Sequence, residues 1–235
     1  MKQGGRALLP PMSASSASVA FTGRAEGDMG HGGAPVVEVD GQVAARRRAV
    51  VDLPWTWLRQ VHGADVVPVL SPGDGAGATA DGAVTDVAGA ALAVLTADCA
   101  PVAFVSAEGV IGVAHAGWRG VTAGVLERTV ATMRSLGATR VGAILGPCIR
   151  AECYEFGEDD LAAVADRLGD GVRATSAQGR PSLDLPAAVR EALTRAGVAV
   201  DVDLTDVDIC TACSPDHYSW RAGKDTARQA AVVWR

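Results

Sequence analysis

Two apolar rhythms divide this chain. Short continuous runs of small and β-branched residues predict buried strands over residues 18–22, 55–58, 66–70, 83–85, 91–96, 102–105 and 110–114, so strands dominate the first half. Farther on, apolar positions recur at helical spacing. Leu126, Val130 and Met133, flanked by Val125, Thr129 and Leu136, share one face and predict a helix that starts behind Gly120 and closes at Gly137. Other helices are expected over 42–51, with Arg46-Arg47-Arg48 as a solvated face, over 158–168, and from an Asp184 cap through Ala187, Val189, Leu193 and Ala196 to Gly197. Strands over 36–39 and 141–145 and around Val202, Ile209 and Val232 complete the pattern. Residues 23–33 and 71–80 read as Gly-rich loops.

Residues 87–105 are almost wholly apolar and about as long as a membrane span. Asp98 and Pro101 argue against a span, because a carboxylate near its middle costs about 3 kcal/mol, whereas two buried strands joined at Asp98-Cys99 carry no such penalty. Lys2 and Arg6 resemble the head of a signal peptide, but only Ala7-Leu8-Leu9 follows before Pro10-Pro11. The small polar run 13–18 marks residues 1–17 as a disordered tail. Neither a repeat nor a linker interrupts residues 18–235, which predict a single α/β domain with a mixed sheet or two packed sheets.

With 49% apolar residues among 235, the chain has ample material for a core. A formal charge of −6 supplies no basic field for a nucleic-acid backbone, which sets that partner aside. Five cysteines, an odd number without a secretory signature, point to free or metal-bound thiols in a reducing compartment, by default the cytoplasm.

His62, Cys99 and His115 each follow a separate predicted strand, the arrangement that brings distant residues to one edge of a sheet. Two imidazoles and a thiolate suit Zn2+ and leave a fourth position for water or substrate. The competing reading makes each a packed or hydrogen-bonded structural residue. Arg119, near the expected helix start, can hold an anion such as phosphate, or can simply support its turn. Asp98 is a candidate proton carrier or a carboxylate that supports a ligand, and otherwise a turn cap. Cys148, Cys153, Cys210 and Cys213 offer a rival site, Cys210-Thr211-Ala212-Cys213 having the spacing of half a zinc ribbon. The zinc-deaminase signature is absent: Gly63-Ala64 follows His62 where x-Glu is required, and Ile209 stands in place of proline.

Arg59-Gln60-Val61-His62-Gly63, Thr96-Ala97-Asp98-Cys99, His115-Ala116-Gly117-Trp118-Arg119-Gly120, Gly146-Pro147-Cys148-Ile149, Cys153-Tyr154-Glu155, Cys210-Thr211 and Tyr218-Ser219-Trp220-Arg221 occur in that order. Together they resemble the YfiH family, also called the laccase-domain or polyphenol oxidase family, over residues 19–234. The resemblance implies a layered α/β sandwich with mixed sheets, similar to cysteine hydrolases. It also implies a metal-dependent enzyme that phosphorolyses adenosine, inosine and methylthioadenosine and deaminates adenosine, with purine nucleosides and phosphate as partners and no membrane. His62, Cys99 and His115 match the family's zinc ligands; Asp98, Cys99 and Arg119 are the implied catalytic residues, and Arg24, Gln60 and Arg221 the implied substrate contacts.

Residues 25–35 replace a longer Ser-Leu-Asn-Leu loop of the family, and Ala222 stands where a second arginine is common. Zn2+ is favoured over Cu2+, since a multicopper oxidase needs more imidazoles than four histidines supply. Copper-dependent phenol oxidation, a cysteine hydrolase with Cys99 as nucleophile and His115 as base that edits cell-wall precursors, and a non-catalytic interaction protein are the alternatives.

Overall fold

The structure, a computed structural model, describes residues 17–30 and 41–235. Its strands are β1 (Ser18–Phe21), β2 (Trp55–Arg59), β3 (Val66–Pro68), β4 (Ala78–Thr79), β5 (Gly82–Thr85), β6 (Ala91–Thr96) and β7 (Ala100–Ser106), then β8 (Ile111–Ala116), β9 (Val141–Leu145), β10 (Arg173–Thr175), β11 (Pro181–Leu183), β12 (Leu204–Asp206) and β13 (Gln229–Trp234). The helices are α1 (Gly41–Val50), α2 (Trp118–Ala123), α3 (Val125–Ser135), α4 (Glu158–Leu168), α5 (Leu185–Arg195), α6 (Val200–Asp203) and α7 (Trp220–Gly223).

Two mixed sheets stack face to face. One runs β1-β13-β6-β2-β4 and the other β12-β9-β7-β8-β5-β3, with β10 and β11 as a separate hairpin. Side chains alternate across each strand, so every central strand serves two cores. Leu92 and Val94 of β6 and Ala231 and Val233 of β13 point inward, where they meet Ala103 and Val105 of β7, Ile111 and Val113 of β8 and Ile144 of β9. On the opposite face of the six-stranded sheet, Val102, Phe104, Ala114 and Leu145 pack against Leu126, Val130 and Met133 of α3, Leu161 and Leu168 of α4, and Val189 and Leu193 of α5. The outer face of the five-stranded sheet is covered near Trp55, Ala93 and Val232 by Met29 and Val50. Burial on both faces explains why the central strands read as unbroken apolar runs.

The two strands expected in residues 87–105 are β6 and β7, joined through Asp98 and Cys99. No helix among the described residues is long and apolar enough to cross a membrane. Several expectations need correction. The helix behind Gly120 is two helices: α2 begins at Trp118, and Gly124, at φ 92° in the left-handed region, ends it with an N–H bond to Gly120 and Val121 before α3 starts. Arg47, expected on a solvated face, is buried; its guanidinium stacks over Trp55 and Trp57 and donates to the Met29 carbonyl at 3.1 Å.

Val202 lies in α6, with the strand following it at Leu204–Asp206, and Ile209 lies in no strand, although Cys210 beside it bridges to Cys148. Strand β4 falls inside the expected loop 71–80, and the β10–β11 hairpin and α7 carried too little apolar pattern to announce themselves. The expected tail, apart from Ala17, and the strand over 36–39 lie outside the described residues.

Phe104 is fully buried at the centre of the helix-side core. Phe104→Ala is expected to lower unfolding stability by about 3–5 kcal/mol, measured by denaturant titration, because it loses apolar burial and leaves a cavity in a close-packed layer.

Candidate functional site

At the end of β2 the Gln60 amide clamps the backbone of Leu95 on β6 from both sides, its Nε2 donating to the carbonyl at 2.7 Å and its Oε1 accepting the N–H at 2.8 Å. The chain then turns through His62, at φ 59° in the left-handed region. Asp81, immediately before β5, holds that turn: its carboxylate accepts the backbone N–H groups of Val61, His62 and Gly63 at 3.1, 3.0 and 2.8 Å. The same carboxylate bonds His115 Nδ1 at 2.8 Å, and the Asp81 carbonyl accepts the His115 N–H at 2.7 Å. His115 thus belongs to β8 instead of lying beyond its strand, as the sequence suggested.

Cys99 enters from the β6–β7 turn, which Asp98 shapes with a φ of 92°. One ligand atom each from His62, Cys99 and His115 lies within 4.8 Å of the others. The Cys99 Sγ is 3.8 Å from His62 Nε2, and the imidazoles meet edge-on with centroids 4.8 Å apart. Gly117 makes room for them: a Cβ there would stand 2.8 Å from His62 Cδ2 and 3.1 Å from Cys99 Sγ.

Asp81 is fully enclosed. Burial alone would raise its pKa, but the His115 bond and the backbone N–H groups hold it below the ordinary carboxylate range. Burial also opposes ionisation of Cys99, yet the His115 charge and bonds from both imidazoles bring its thiol down from 9.0 to about 6. His115 is desolvated too, but Cys99 and Asp81 together raise it to about 9. Because Asp81 occupies Nδ1, Nε2 is the histidine nitrogen left to face the thiolate. Two such nitrogens and a sulfur of thiolate character fit Zn2+.

An aromatic ladder stands beside this group. Arg119 stacks over Trp118 at 4.4 Å, Trp118 meets Phe156 edge-on at 5.3 Å, Phe156 meets Tyr154 at 5.2 Å, and Arg221 covers Tyr154 at 4.9 Å. Tyr154 feels the charges of Cys99, Arg221, Asp98 and Arg119, while burial is the chief cause that pushes its hydroxyl up. Arg119 sits in the first turn of α2, exposed and without a carboxylate partner among the described residues.

The remaining predicted residues are differently engaged. Asp98 accepts from Thr211 Oγ1 at 2.7 Å and from the Arg221 N–H at 2.6 Å, which anchors the start of α7. Arg24 pairs with Asp225 at 2.5 Å, donates to the His217 carbonyl and covers the Tyr218 ring. The rival cysteines do not form the expected quartet. Cys148 is buried in the helix-side core, and Glu152 joins Cys153, Cys210 and Cys213 in its place.

Sequence reasoning overlooked Asp81, Trp118 and Phe156 as parts of the site. Asp81 carried a usable signal, a lone carboxylate before Gly82 at the edge of an apolar strand, the same kind of position that marked the three ligands.

Residues 32–235 match the family described as multi-copper polyphenol oxidoreductase laccase. A Streptomyces coelicolor protein named purine nucleoside phosphorylase is 40% identical over 202 residues, covering 84% of this chain and 82% of its own length. One of the same name from Xylella fastidiosa is 42% identical over 193 residues, covering 76% and 71%. Among solved structures, YlmD from Geobacillus stearothermophilus superposes with a TM-score of 0.80 at 29% identity, covering 97% of this chain and 94% of that one.

Removing the Asp81 charge tests its support of the site. Asp81→Asn is expected to weaken Zn2+ binding at His62, Cys99 and His115 by about 10- to 100-fold in a chelator competition, and unchanged affinity would free the ligands from that support. Gly117→Ala, whose backbone at φ −66° accepts alanine, should leave the fold intact in circular dichroism while displacing His62 and Cys99 and lowering metal occupancy.

Proposed function

The chain belongs to the laccase-like YfiH family, and from that premise we propose that it is a zinc-dependent purine nucleoside phosphorylase. Its substrates are adenosine, inosine and methylthioadenosine with phosphate, its products the free base and (methylthio)ribose 1-phosphate, and adenosine deamination is a second activity of the same pocket. Relatives bearing the phosphorylase name support the reaction class. The observation that carries the reading is the placement of a two-nitrogen, one-sulfur group beside an aromatic ladder capped at each end by an arginine.

Zn2+, held by His62, Cys99 and His115, supplies a Lewis acid when bound. In phosphorolysis a phosphate oxygen bonds to C1′ as the C1′–N9 bond breaks, and the electron pair leaves with the purine, which gains a proton. In deamination water adds at C6 and ammonia departs. Arg119, exposed and with no carboxylate partner among the described residues, holds phosphate, and Arg221 assists it from the other end of the ladder. Tyr154 and Phe156 offer apolar faces to the purine.

Asp98 acts through others, fixing Arg221 and Thr211 around the Cys99 turn. Gln60 positions the His62 turn through Leu95, and Arg24 secures the 217–225 segment. Copper-dependent phenol oxidation lacks the imidazoles for a cluster: the sequence has four histidines, and among the described residues His217 bonds Ser214 while His62 and His115 converge.

Arg119→Ala should raise the phosphate KM about 10- to 100-fold, the loss of a charge-assisted hydrogen bond, while phosphate-free adenosine deamination changes far less. Unchanged phosphate dependence with the metal retained would remove Arg119 from this role. Metal analysis should find zinc in a colourless protein; stoichiometric copper with an intense visible thiolate band and rapid phenol turnover would overturn the assignment of metal and reaction together.

A further inference from the structure

Cys153, Cys210, Cys213 and Glu152 play no part in the pocket chemistry, yet one ligand atom of each lies within 4.8 Å of the other three. They come from two separate segments: Glu152 and Cys153 from a short helical turn after β9, Cys210 and Cys213 from the loop that follows β12. We propose that these four residues form a second, structural Zn2+ site, independent of His62, Cys99 and His115.

The local geometry is that of a metal-binding turn. The N–H groups of Cys213 and Ser214 bond the Cys210 carbonyl at 3.3 and 3.0 Å, which curls the CxxC segment so that both thiols face Cys153, and Cys213 Sγ approaches Cys153 Sγ to 3.3 Å. Such crowded sulfurs ionise together only around a cation, releasing their protons as it binds. Three sulfurs and one carboxylate oxygen complete a tetrahedral shell, so this site is closed where the three-ligand group leaves a position open.

Its role follows from what the two segments carry. The Cys148 N–H bonds the Ile209 carbonyl at 3.2 Å and the Thr211 N–H bonds the Cys148 carbonyl at 3.1 Å, and these pairings stitch the two segments together beyond the end of β9. Tyr154 follows Cys153, and Thr211, between the two cysteines of the CxxC, donates to Asp98. Zn2+ at this point locks the wall that carries the Tyr154 end of the ladder.

Metal counting on the full chain, grown with zinc and purified without chelator, tests the site separately from the first. The wild type is expected to hold two equivalents of Zn2+, His115→Ala one, Cys213→Ala one, and the double variant none. Cobalt substitution supplies the second readout. A thiolate-to-cobalt absorption band should persist in His115→Ala, shrink in Cys213→Ala and weaken in Glu152→Ala, a change at an exposed position that the fold tolerates. Chelation should also lower the Tm of His115→Ala. Equal zinc content in Cys213→Ala and wild type would overturn the proposal, as would a Cys153–Cys213 disulfide found by thiol counting in the untreated protein. Loss of zinc from His115→Ala with none gained or lost in Cys213→Ala would leave the first site standing and remove the second.

Discussion

The Asp81 carboxylate is the constraint on which the candidate site depends. A charged group shut away from water survives only if each lone pair finds a partner, and here three backbone N–H groups and one imidazole supply them. Removing one partner from such a buried charged pair costs about 3–5 kcal/mol, so the arrangement behaves as a unit. It joins the turn after β2, the start of β5 and the end of β8 around a single residue. The left-handed φ of His62 persists because the N–H bonds on either side of it fix its conformation.

The arginines show how position divides one residue type into different physical roles. Arg47 projects from α1 over two indole rings, where burial lowers its pKa to about 10 and packing sets its value to the fold. Arg150 is tied to Asp206 by two bonds at 2.8 and 2.5 Å, which brace the segment leading to Glu152 and Cys153. Arg119 is exposed and has no carboxylate partner among the described residues, the position from which the proposed phosphate contact is made. Formal charge alone, −6 across the whole chain, does not reveal this division of roles.

Much of the fold was legible because burial on both faces writes itself into sequence. The strands β6, β7 and β8 are apolar at nearly every position, and the candidate ligands Cys99 and His115 stand out from that run by polarity contrast alone. Helices α4 and α5 were found nearly residue for residue, the second from its Asp184 cap, which accepts the Ala187 N–H at 2.9 Å. The misses share a cause: they depend on partners far away in the chain. Nothing around Arg47 tells of Trp55 and Trp57, nothing around Asp81 tells of His115, and Gly124 splits a helix whose apolar spacing continues across it. Short hairpins such as β10–β11 draw their order from tertiary contacts, which leave little local pattern.

The pairing of β1 with β13 sets Ser18 opposite Trp234, so that the two ends of the described domain lie side by side in one sheet. Their cyclic order in the chain is therefore independent of the architecture. A permuted gene could join residue 235 to residue 17 through a short linker and open the chain instead in the Gly-rich turn around the exposed Asp74. The candidate metal ligands would keep their neighbours, while His62 would come after both His115 and Asp81 in synthesis. Convergence at this site is thus a property of the two stacked sheets, and any reading order that restores them restores the site.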